Sequence, residues 1–105
     1  MNELKDVTYQ ELKTIINESN VTVVMAHTPT CGTCVVAKKM LQIISATLTQ
    51  VPIVAINLNY NEQMAKDFEI MSVPCILIYK NTNCVEKIYA FQSVPYLYKK
   101  ITHYL

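Results

Sequence analysis

Cys31 and Cys34 stand three residues apart in Cys31-Gly32-Thr33-Cys34, a spacing at which two thiols can close and reopen a disulfide. Ahead of them Val21, Val23, Val24 and Met25 form an apolar, largely β-branched run between Asn20 and Pro29, which predicts a buried strand. Behind them Ala37, Met40, Leu41, Ile44 and Leu48 recur at helical spacing, which predicts a long helix reaching about Thr49 with one apolar face. Cys31 thus falls where a strand ends and a helix begins. A sulfur there faces backbone N–H groups without helical partners and the positive end of the helix dipole, and both favour the thiolate. Only a thiolate attacks a disulfide sulfur, so Cys31 reads as the nucleophile. Cys34, in the first turn and on the same face, reads as the thiol that resolves the mixed disulfide.

Other side chains compete for roles nearby. His27 precedes Cys31 on the strand end, where an imidazole can steady a thiolate or take the Cys34 proton; a plain rim histidine is the competing reading. Cys75 directly follows Pro74 and reads as a small core residue, with a third redox thiol or a metal ligand as the alternatives. Cys84 opens the next strand and pairs near Lys80, too far along the ladder to bridge Cys75. A zinc or iron–sulfur site built on Cys31, Cys34 and either Cys75 or His27 is a rival class. Zinc wants four ligands, though, and the third and fourth are not supplied at motif spacing. A domain whose Cys pair senses redox state without turnover is a further alternative.

The remaining chain is organised to hold that motif. Thr8-Tyr9-Gln10-Glu11 has the form of a capping box, followed by Leu12, Ile15 and Ile16, which predicts a first helix ending near Ser19-Asn20. Glu3–Lys5 reads as a short edge strand. Pro52 through Leu58 is a doubly buried strand, and Asn57–Asn61 a loop with Asn61 capping a helix that carries Met64, Ala65 and Phe68. Cys75–Lys80 is another buried strand, joined through Asn81-Thr82-Asn83 to Cys84–Phe91 as a hairpin. Ser93 caps a last helix whose apolar face is Val94, Leu97, Tyr98, Ile101 and Leu105. This order predicts one domain over residues 1–105: an α/β fold with a central mixed sheet and helices on both faces, a three-layer α/β/α sandwich.

Composition narrows the function classes. Hydrophobic residues make up 51% of the chain and charged residues 16%, which argues for a compact globular domain and against a disordered chain. The net charge is +1 and the basic residues, all lysine, are scattered, so neither nucleic acid nor an anionic membrane is an expected partner. The N-terminus carries no apolar leader and no run is long enough to span a bilayer. The expected compartment is therefore a reducing cytoplasm, where cysteines serve as thiols or catalysts and not as structural bridges.

Taken with Ser72-Val73-Pro74 at the start of a later strand, the strand–Cys31-Gly32-Thr33-Cys34–helix unit resembles the thioredoxin family, and the likeness covers nearly the whole chain. The resemblance implies a thioredoxin fold and reduction of protein disulfides by the Cys31/Cys34 dithiol. It implies no bound cofactor, and electrons supplied by a flavoprotein disulfide reductase or a low-molecular-weight thiol to a monomer serving electron transport and redox homeostasis. It also implies that Pro74 is cis and faces the cysteines, that the main chain of Val73 binds an extended substrate segment, and that Thr30 and Gly32 lie on the substrate rim. The chain departs from that family in several places. Met25 and Ala55 stand where typical members carry a buried Asp and a Lys that help move the second cysteine's proton. His27 and Thr30 replace aromatic residues, Thr33 and Lys39 replace prolines, and Ala90 or a neighbour replaces a late glycine.

Overall fold

The computed structural model describes residues 4–89 and 93–105. Eight elements follow one another: α1 (Tyr9–Glu18), β1 (Val21–His27), α2 (Gly32–Thr47), β2 (Ile53–Asn57), α3 (Glu62–Asp67), β3 (Cys75–Lys80), β4 (Asn83–Ile88) and α4 (Val94–Thr102). The strands form one sheet in the order β2-β1-β3-β4. β1 runs parallel to β2, with Met25 opposite Ala55. It runs antiparallel to β3, with Ala26 opposite Cys75, and β3 pairs antiparallel with β4.

The near-continuous apolar strands bury both faces, because alternate side chains point to opposite sides. On one side Val23, Met25, Ala55, Ile76 and Ile78 pack with Ala37, Leu41 and Ile44 of α2 and Leu97 and Ile101 of α4. On the other, Val24, Ala26, Ile56, Cys75, Leu77 and Tyr79 pack with Leu12 and Ile16 of α1 and Met64 of α3. The three layers follow from this, with α2 and α4 on one face and α1 and α3 on the other. Fully burying an aliphatic side chain is worth about 1.5–3 kcal/mol, so Leu41 and Ile44, at 0% and 1% exposed, fix α2 and its N-terminus firmly against the sheet.

Local signals hold the helix starts. The Thr8/Glu11 capping box closes in both directions, and Ser93 Oγ accepts from the Tyr96 N–H at 3.1 Å. Asn81 adopts a left-handed conformation (φ 56°) at the β3–β4 turn, as Asn tolerates.

Several boundaries differ from expectation. The edge strand reduces, among the described residues, to one parallel bridge of Asp6 with Ala55, since only Lys5 O and the Val7 N–H reach β2 before the chain turns into α1. α2 stops at Thr47, with Leu48 as its C-cap. Asn61 does precede α3, but its side chain gives no cap bond. It is spent tying the α1 start to the β2–α3 loop, accepting from the Tyr9 N–H at 2.9 Å and donating to Asn57 O at 2.8 Å. On α4, Tyr98 and Leu105 are 37% and 48% exposed, while Tyr96 and Tyr104 pack on the core in their stead. β4 ends at Ile88, and the expected extension to Phe91, like the Ala90 comparison and Glu3, lies in part outside the described residues.

Candidate active site

The β1–α2 junction sets Cys31 at the N-cap of α2 in extended backbone (φ −88°, ψ 104°), its own N–H donating to Thr28 O at 3.2 Å. Cys34 follows in the first turn, and the two are disulfide-bonded with their Cα atoms 5.4 Å apart. In this state the Cys31 sulfur accepts no first-turn N–H, in contrast to the sequence expectation. It is bonded to Cys34 and lies 3.5 Å from Thr33 Oγ1. The two sulfurs differ in access: Cys31 is half-buried, whereas Cys34 is 6% exposed.

The antiparallel register brings the β3 entry to the same end of the sheet. Ala26 pairs with Cys75, so the Val73–Pro74 loop comes level with the end of β1. The Val73–Pro74 peptide is cis. Val73 and Pro74, with Thr33, Val36 and Met40 of α2 and Tyr89 after β4, line a groove of about 430 Å³. Thr33, Val36, Met40 and Tyr89 carried no sequence signal for this wall beyond Thr33 lying inside the motif. Thr30 and Gly32 are exposed and lie outside the lining of that groove.

A smaller cavity of about 180 Å³ is lined by Met25, His27, Cys31, Cys34 and Lys38 among others. His27 Nε2 is 2.6 Å from Asp6 Oδ1, with side-chain exposures of 15% and 53%. Asp6 had no sequence signal at all; the bridge to Ala55 is what delivers it.

Cys75 is fully buried on the opposite face of the sheet from α2, beside Leu77 and Tyr79. Burial is the main cause that pushes its thiol up to about 11. It is therefore a core residue, and the face it occupies separates it from the motif. Cys84 pairs with Tyr79 and donates to Glu86 O at 3.5 Å; desolvation raises its pKa too. Both are free thiols. Among the described residues, no three His, Cys, Asp or Glu side chains converge on a common metal position. Nor is any described helix long and apolar enough to cross a membrane.

A disulfide at the head of a helix, on a four-stranded mixed sheet whose β1 end and β3 entry lie level, defines a dithiol–disulfide exchange domain, and the comparisons with known proteins agree. The family model described as Thioredoxin matches residues 3–103. The chain is 42% identical over 98 residues to the thioredoxin-like protein YusE of Bacillus subtilis (strain 168), covering 93% of this chain and 91% of that protein. A thioredoxin of Chlamydia pneumoniae is 28% identical over 67 residues, 64% of this chain and 66% of that one. Among solved structures, a mutant thioredoxin from Halobacterium salinarum NRC-1 superposes with a TM-score of 0.88 at 20% identity, covering 97% of this chain and 90% of that one. The chain belongs to the thioredoxin family, and it is a thiol–disulfide oxidoreductase working through the Cys31/Cys34 pair.

Proposed function

We propose that the protein reduces disulfides in protein substrates, with Cys31 as nucleophile and Cys34 as resolving thiol. The observation that carries this reading is the asymmetry of the pair: Cys31 is half-buried at the helix head, whereas Cys34 is almost fully enclosed. In the reduced state the Cys31 thiolate attacks one sulfur of a substrate disulfide. A Cys31–substrate bond forms and the other substrate sulfur leaves as a thiolate. Cys34 loses its proton and attacks Cys31 Sγ, closing the disulfide and releasing the second substrate sulfur. Two electrons and two protons pass in all from the dithiol to the substrate.

The groove beside Val73 and Pro74 suits an extended segment that adds to the Val73 main chain as a strand would, with the exposed Thr30 and Gly32 at the motif as further contacts outside the groove. A flavoprotein disulfide reductase or a low-molecular-weight thiol returns the electrons, to a monomer in the cytoplasm, as part of cellular electron transport and redox homeostasis. The test is steady-state reduction of a protein disulfide with each class of reductant. Turnover that vanishes in Cys31→Ser is the expected result. Dithiol oxidation without multiple turnovers under either reductant would overturn the reading.

A further inference from the structure

The mixed disulfide cannot resolve until Cys34 gives up its proton, and at 6% exposure Cys34 has little direct access to bulk water. Asp6, Ala55 and Met25 form a row across three chain segments, since Asp6 bridges Ala55 and Ala55 pairs with Met25. Met25 and Ala55 carry nothing that titrates. His27, two residues along β1 from Met25, lies on that same face, and it lines the cavity shared with Cys31 and Cys34. Ala55 offers only a methyl group between the edge and β1, which leaves Asp6 free to reach His27 at 2.6 Å.

We infer that His27, oriented by Asp6, is the base that takes the Cys34 proton in the resolving step. This rests on the dithiol chemistry proposed above. An ionised carboxylate only accepts hydrogen bonds, so Nε2 carries the proton donated to Asp6. That fixes the tautomer and leaves Nδ1 with a lone pair, the arrangement in which a carboxylate orients a histidine base. Cys34 S–H transfers its proton to Nδ1, directly or through one water. The thiolate attacks Cys31 Sγ, the Cys31–substrate bond breaks, and the departing substrate thiolate takes a proton from the imidazolium or from solvent. The other charged and titratable groups on the cavity are Lys38 of α2 and Cys31 at its N-cap. β2 contributes the uncharged Asn57, which pairs with His27. Lys38 is an ammonium with no lone pair to accept a proton, so it favours a thiolate without serving as the base. Asp6 is a positioning residue.

The test uses a stoichiometric pulse of Ellman's disulfide on the reduced protein in a Cys84→Ser background. The first equivalent of thionitrobenzoate reports attack by Cys31, and the second reports resolution by Cys34. For His27→Gln the second phase is expected to slow at least tenfold near neutral pH and to climb steeply with pH as hydroxide takes over. The first phase should change less than threefold. Asp6→Asn, at a residue 53% exposed and thus safe for folding, should slow the second phase by a smaller factor. Free imidazole should accelerate the second phase in His27→Ala. Lys38→Met controls for simple charge loss and should leave the steepness with pH unaltered. A second phase in His27→Gln that matches the parent across pH overturns the assignment, as does an unaffected second phase in Asp6→Asn if the histidine variant fails to fold. Because the probe is a small disulfide read in one turnover, this outcome is separable from a failure to turn over protein disulfides.

Discussion

Met25 and Ala55 face each other across the parallel β1–β2 pair, 1% and 0% exposed, directly beneath the helix that carries Cys34. A carboxyl placed there loses hydration, and only Lys38 and His27, on the same cavity, are there to compensate. Met25→Asp should therefore destabilise the fold by about 1–3 kcal/mol. Burial raises the new carboxyl above its unfolded value. The folded state then holds more protons than the unfolded one in that window, so stability falls as pH rises through it. Urea midpoints at pH 4 and pH 7 check this, and a variant no less stable at pH 7 than at pH 4 contradicts it. Any acceleration of resolution should be small if His27 already serves.

The roles of the two motif cysteines separate by trapping. Cys34→Ser should accumulate covalent adducts through Cys31 on exposure to a disulfide substrate, whereas Cys31→Ser should trap almost none. Peptide mapping of the adduct decides it, and adducts joined through Cys34 in the singly substituted Cys31→Ser protein would reverse the assignment.

Cys75 provides a measurement independent of turnover. Its pKa of about 11 and its complete burial predict that alkylation of the folded, reduced protein at pH 8 labels Cys31 and Cys84 long before Cys75. Because its folded pKa lies above the free value of about 8.5, its contribution to stability is present below that value and is lost as pH rises toward 11. Labelling of Cys75 at a rate close to that of Cys84 in native buffer would contradict its burial.

The redox poise follows from the residues between the cysteines. Gly32 and Thr33 bring no cation or imidazole to the Cys31 thiolate, so its stabilisation is modest. The potential should fall nearer the about −270 mV of thioredoxin than the about −120 mV of the strong oxidant DsbA. Equilibration with glutathione buffers measures it, and a value close to the oxidising end would refute the argument.

The strands were legible because β1, β2 and β3 are apolar on both faces, a pattern that only a doubly covered sheet satisfies, whereas their order in the sheet was not legible. α2 was legible from the spacing of Ala37, Leu41 and Ile44. The motif was legible because its two cysteines are neighbours in sequence. The Asp6–His27 pair was not, since it depends on a single bridge to Ala55 between residues far apart in the chain. Asn61 misled for a related reason: it precedes α3 but gives no cap bond, because the distant Tyr9 N–H and the nearby Asn57 carbonyl bind its side chain. On α4, periodicity could not choose between Tyr98 and its neighbours Tyr96 and Tyr104. The rotation of the helix on the sheet decided it, with Tyr104 also donating to Glu86 Oε2 at 2.6 Å.

Gly32 is the only glycine in the chain, yet its backbone does not require one. No glycine has positive φ, and a Cβ built at Gly32 meets nothing within 4 Å. It is the first residue of α2, where alanine restricts the unfolded chain and fits the helix without strain. Gly32→Ala should therefore stabilise the protein by about 0.4–1 kcal/mol. The added methyl projects from the exposed rim beside Cys31, where a bound segment would pass. Reduction of a protein disulfide should consequently slow severalfold, while reaction with a small aromatic disulfide stays within twofold of the parent. Thermal or urea unfolding reads the first effect, and paired turnover assays read the second. Equal rates on both substrates in the more stable variant would show that the substrate chain does not approach Gly32, and would move the contact surface to the Val73–Pro74 side of the disulfide alone.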